Sequence, residues 1–140
     1  MAVERRRGGG LLTALHGVLL AFPIALFSGG VAADMAYLRT AEMQWTNFSA
    51  WLNAFGLVFG GGVVFFALLG LIFARGKGWG LVYFLVVAAM WIVGLVNAFK
   101  HSQDAWSSVG TLGLVLSIIT ALLALIAGLM RYGRSPVEVR

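Results

Sequence analysis

The chain has 140 residues, of which 61% are hydrophobic and 11% charged. Average soluble domains are about 45–50% apolar and about 25% charged, so a water-soluble fold of this size has too little polar surface to cover its apolar side chains. The lack of cysteine excludes disulfides, thiolate metal sites, iron–sulfur clusters and Cys nucleophiles. The net charge of +5 sits at segment ends rather than along one basic face, which excludes a nucleic-acid-binding surface.

In chain order, residues 1–10 form an arm that holds Arg5, Arg6 and Arg7 and the flexible run Gly8, Gly9 and Gly10. Four apolar runs follow, at about 11–33, 48–74, 78–99 and 109–130. Each approaches the roughly 20 residues that cross about 30 Å of hydrocarbon. Each is predicted helical, because a lone strand in lipid leaves its backbone groups unpaired. The transmembrane unit covers 11–131, and residues 132–140 form a tail. The first run resembles a secretory signal peptide, with Arg5 to Arg7 before it and Val31, Ala32 and Ala33 ahead of Asp34. It is longer than an ordinary signal h-region, so it is read as a span.

Eight basic residues fall on one side of the predicted spans: Arg5, Arg6, Arg7, Arg75, Lys77, Arg131, Arg134 and Arg140. Arg39 and Lys100 fall on the other. Loops rich in Arg and Lys stay in the cytoplasm, so both termini are expected there, in a bacterial inner membrane. Trp45, Trp51 and Trp106 mark the outer boundary, and Trp79 and Tyr132 the inner one. Loops of about fourteen, three and nine residues join the runs. Short loops favour antiparallel neighbours. The expected fold is all-α, an antiparallel up-down four-helix transmembrane bundle.

Several side chains invite a functional reading. Gly56 and Gly60 make a small-xxx-small pair, expected to pack helices closely, with a homodimer face or a wall for a planar ligand as alternatives. Pro23 interrupts the first helix and frees the Leu19 carbonyl, predicting a bend. His16 lies near the cytoplasmic end of that helix, as a neutral imidazole with a hydrogen-bond partner or as an inner-side functional group. Asn97, His101 and Asp104 recur at i, i+4 and i+7 and share a face if the third helix continues. With Asn53, Trp106, and Asp34 and Glu42 from the first outer loop, they form an expected polar cap at the outer mouth. That cap is read as a hydrogen-bonded lid or as a small site for an ion, a quinone headgroup or a partner protein.

Bis-histidine haem is excluded by distance, since His16 and His101 belong to opposite ends, roughly 25–30 Å apart at 1.5 Å per helical residue. A haem b with one histidine, or one shared across a dimer axis at His101, stays open. No metal-ligand spacing occurs. The helix middles carry no ionisable residue, and the mid-membrane hydroxyls of note are Ser28, Ser117 and Thr120. A pump or carrier needs more than that. No nucleophile, base and orienter occur together, so no enzyme is expected.

Two stretches carry a family resemblance: His16-Gly17-Val18, running on to Phe22-Pro23-Ile24 and Leu26, and Asn97 through His101, Asp104 and Trp106 to Gly113 and Ser117. Together they resemble the predicted bacterial membrane proteins of the DUF2231 family, over about Leu11 to Met130. The resemblance implies a four-helix membrane fold and supplies no activity. Some relatives look like companions of periplasmic oxidoreductases. Family members commonly carry a His-Pro pair and a His-Phe-Pro group. Here Gly17 stands for the first proline and Ala21 for the second histidine. Many relatives end the fourth helix with a Tyr-Arg-His run, and here it ends in Met130-Arg131-Tyr132-Gly133, without the histidine. Ligand roles of those histidines are therefore not carried over.

The leading expectation is a non-catalytic membrane-embedded subunit or partner-binding protein, in a lipid bilayer and open to homo-oligomer formation. The alternatives are a redox module with haem b or quinone near Asn97, His101 and Trp106, and an oligomeric transporter for ions or small solutes.

Overall fold

A computed structural model describes residues 10–73, 78–103 and 110–133. These residues form α1 (Leu11–Thr40), α2 (Met43–Phe73), α3 (Gly78–His101) and α4 (Thr111–Tyr132). All four are long and apolar enough to cross a membrane. Each packs on its neighbours in the chain, and α1 also packs on α4, which closes an antiparallel ring.

The inward residues show why these helices assemble. In α1 they include His16, Leu20, Pro23, Phe27, Gly30 and Asp34. In α2 they are Thr46, Ser49, Asn53, Gly56, Gly60, Val63 and Ala67. In α3 they are Tyr83, Val87, Met90, Gly94, Asn97 and His101, and in α4 they include Gly113, Ser117, Thr120, Ala124 and Ala127. Steps of four and three alternate throughout, a mean period of 3.5. That is the period of left-handed supercoiled packing, with neighbours crossing near 20°. The seam is made largely of small and polar residues, while Val58, Phe65 and Leu129 are 71%, 57% and 71% exposed. Lipid is as apolar as leucine, so membrane helices associate through close packing and interhelical hydrogen bonds, not through apolar burial.

Two apolar layers fill the middle. One joins Leu20, Val63, Ala67, Tyr83, Val87 and Ala127. The other joins Phe27, Met90, Ala121 and Ala124. Gly56 and Gly60 face this interior. A Cβ at Gly56 would lie 2.5 Å from the Phe27 ring, and one at Gly60 would meet Met90 and Trp91. The pair packs helices inside the bundle, so the homodimer face and the ligand wall are not located there. Trp91 lies close to Gly60 and Gly61 and donates from Nε1 to the Leu57 carbonyl at 3.0 Å. Pro23 is buried within an unbroken α1.

The helix ends differ from the sequence expectation. α1 continues seven residues past the expected end, to Thr40, and α2 begins at Met43. The first outer loop of about fourteen residues is thus a link of two, Ala41 and Glu42. Ala41 adopts the left-handed conformation (φ 57°) and its N–H donates to Tyr37 O at 2.8 Å. Such a cap reverses the chain in minimal length. Asp34 and Arg39 end the hydropathic run, but they do not break a helix, because helical backbone bonding persists where lipid gives way to headgroups.

Candidate functional site

Asp34 is fully buried and belongs to α1, not to a loop. It sits near the end of the bundle opposite the termini, where every helix offers a polar side chain: Ser49 and Asn53 from α2, Asn97 and His101 from α3, Ser117 from α4. Asp34 Oδ1 lies 2.9 Å from His101 Nε2, and Asp34 Oδ2 accepts from Ser117 Oγ at 2.5 Å. His101 Nδ1 lies 2.9 Å from the Asn97 carbonyl, and its Nε2 also approaches Ser49 Oγ at 3.1 Å. The cluster is a hydrogen-bonded network buried between the helices, whereas the sequence placed the cap at the outer mouth with Asp34 in a loop.

The direction of these bonds follows from donor and acceptor chemistry. Asn53 Nδ2 faces the Ser49 carbonyl at 2.9 Å, which fixes the amide, because a carbonyl only accepts. Asn53 Oδ1 therefore accepts from Asn97 Nδ2 at 3.0 Å. The same Asn97 nitrogen donates to Ser117 Oγ at 2.9 Å, leaving the Ser117 proton for Asp34. His101 Nδ1 must donate to its carbonyl. Nε2 and Asp34 Oδ1 share one proton across their 2.9 Å contact. Ser49 Oγ, 3.3 Å from the Gly30 carbonyl, donates there. Asn97 Oδ1 is the buried side-chain atom left without a partner among the described residues.

This geometry does not activate a serine. In a nucleophilic triad the acid and the hydroxyl bind opposite ring nitrogens. Here Asp34 and Ser49 share Nε2, and the other nitrogen is held by its own helix. A metal or haem iron at His101 needs a free ring nitrogen, and both are engaged. No group of three His, Cys, Asp or Glu able to hold a metal occurs among the described residues. A hollow of about 410 Å³ lies beside His101, Thr46 and Gln103.

The other end carries a second cross-brace. His16 Nε2 and Tyr83 Oη are 2.7 Å apart, and Phe66 meets the His16 ring edge-on at 6.3 Å between centroids. Both braces join α1 to α3 across the bundle axis, and both pair residues 67 positions apart. Eighteen residues separate His16 from Asp34 and Tyr83 from His101. That is five helical turns, about 27 Å, so the two braces rise from the same face of each helix. His16 and His101 stand at opposite ends, as their sequence positions indicate. Beside His16 and Tyr83 opens a cavity of about 520 Å³, with Phe66, Gly70 and Phe73 on its walls and Arg131 also lining it.

The structure thus joins Asn53, Asn97 and His101, while Asp104 and Trp106 lie outside the described residues. His16 stands alone at the far end with Tyr83. Glu42 lies in the link, its N–H on Thr40 Oγ1 at 3.3 Å, apart from the network. Sequence reasoning missed Ser49, placed Asp34 in a loop and treated Ser117 as an isolated hydroxyl. The 3.5-residue recurrence of small and polar positions was the available signal. It puts Gly30 and Asp34, Ser49 and Asn53, Asn97 and His101, and Ser117 on four seams at one level.

Four helices able to cross a membrane, packed around apolar layers with a polar cluster toward one end, define a multi-pass membrane bundle. The family model for predicted membrane proteins, DUF2231, matches residues 12–132, and the chain belongs to this family. No curated protein matches the chain, and no solved structure does. A Cβ at Gly17 would collide with the Tyr132 hydroxyl, so α1 and α4 meet closely at this end.

Proposed function

We propose that the protein is a non-catalytic membrane-embedded subunit that works by holding a partner within or at the surface of the inner membrane, with both termini in the cytoplasm. The observation behind this reading is the consumption of polar chemistry by the fold. Asp34, Ser49, Asn53, Asn97, His101 and Ser117 bond to one another across all four helices. None is presented to a substrate in a nucleophile–base order. A narrow apolar constriction dewets and interrupts a water-filled path. Here the apolar layers around Leu20, Phe27, Val87 and Met90 separate the two ends. What the molecule offers to others is a stiff lateral surface of lipid-facing side chains and a low profile outside the bilayer, with two residues between α1 and α2.

Purification of the tagged chain in mild detergent, followed by mass spectrometry of native complexes, tests this. The expected result is a stoichiometric second protein or a homo-oligomer. A monomer recovered alone at native expression levels, before and after membrane-permeable crosslinking, contradicts it.

A further inference from the structure

We infer that the cavity at the terminal end binds the oxygen-bearing ring of a quinone-type amphiphile, with its tail in the surrounding lipid. This goes beyond the subunit role and places a ligand at the end opposite the one the sequence suggested. The cavity measures about 520 Å³, inside the roughly 300–1,000 Å³ range of small-molecule sites. Its walls are largely aliphatic and aromatic, and its polar side chains are few: His16 and Tyr83, both buried, and Thr13 and Arg131, both exposed.

The His16–Tyr83 contact determines the ligand chemistry. Between Nε2 and Oη, 2.7 Å apart, one hydrogen has two placements. With the phenol donating to the imidazole, Tyr83 offers the cavity only lone pairs. With Nε2–H donating to the phenol oxygen, the Tyr83 O–H is released to donate outward. One atom thus meets a ligand oxygen that accepts and, after a tautomer change of His16, a ligand oxygen that donates. A quinone carbonyl accepts and the hydroxyl of its quinol donates, so both states find a partner at Tyr83 without movement of the backbone. Phe66 fixes the imidazole edge-on, so the change involves hydrogens only.

Arg131 supplies a fixed donor for a second oxygen. Among the described residues, both carboxylates, Asp34 and Glu42, lie at the opposite end of the bundle, so none competes for it there. Gly70 lines the cavity, and a Cβ added to it meets nothing within 4 Å. A side chain at that position has open space at the cavity wall and meets no neighbouring helix at its first carbon.

The full chain in lipid nanodiscs is titrated with a benzoquinone carrying a ten-carbon tail, in oxidised and in reduced form, and binding is read by calorimetry. Saturable binding of both forms within about tenfold of each other is expected. Gly70→Leu is expected to abolish binding with a melting temperature no lower than that of the parent chain, and Tyr83→Phe to weaken both forms at least tenfold. Short-chain phosphatidylglycerol is expected not to compete. The inference is overturned by binding that is absent, by binding that survives both Gly70→Leu and Tyr83→Phe, or by equal competition from phosphatidylglycerol, which would make the cavity a phospholipid site.

Discussion

Asp34 sets the energetics at the residue scale. A carboxylate inside a membrane bundle is costly unless paired and hydrogen-bonded, and Asp34 is met by His101 on one oxygen and Ser117 on the other. Interhelical hydrogen bonds in membranes average only about 0.6 kcal/mol. Leaving a buried polar group without its partner costs about 1–3 kcal/mol, and more where that group is charged. The second effect dominates here. His101→Ala is therefore expected to destabilise by about 3 kcal/mol, and the double variant Asp34→Ala, His101→Ala by less than the sum of the single losses. Reversible unfolding in mixed detergent micelles, run as a double-mutant cycle, measures this. Additive losses would show that the pair carries no coupling.

At the scale of the element, the 3.5-residue seam makes each inward position answer to a neighbour. Phe27 reaches α2 only because Gly56 has no side chain, and it also lies 3.4 Å from where a Cβ on Gly94 would stand. Gly56→Ala and Gly70→Ala bring the same gain in helix propensity. Only the first introduces a clash, 2.5 Å from a ring that is 1% exposed. Overpacking of this kind costs about 1–3 kcal/mol. Gly56→Ala is thus expected to unfold more easily than Gly70→Ala by that amount, and Phe27→Leu in the Gly56→Ala background to recover part of it. Equal stability of the two alanine variants would contradict the packing described.

The existence and rough centres of the four helices were legible in the residues, because about 20 consecutive apolar positions have one stable conformation in lipid. Their outer ends were less so. Hydropathy marks where hydrocarbon ends, and α1 and α2 continue beyond it through Asp34, Arg39 and Trp45 before turning at Ala41 and Glu42. The site was legible in part for the same reason. Asn53, Asn97 and His101 stand out as polar residues at one level. Asp34 was assigned to an outer loop by its charge, and Ser49 was passed over at the start of an expected span, where one hydroxyl does not alter the hydropathic pattern. A search for small and polar residues at alternating steps of three and four, rather than for apolar ones, finds all of them.

At the scale of the whole molecule, four helices cross a bilayer with a buried polar cluster inside. The chain contains no cysteine, so single cysteines report without background. The direct test is labelling of Glu42→Cys, Ser49→Cys and Tyr132→Cys with a membrane-impermeant maleimide, in intact and permeabilised bacterial cells. Glu42→Cys is expected to react in intact cells and Tyr132→Cys only after permeabilisation, with Ser49→Cys unreactive in both until detergent unfolds the bundle. Labelling of Ser49→Cys in intact cells, or of Glu42→Cys and Tyr132→Cys from the same side, would contradict the structure and its placement in the membrane.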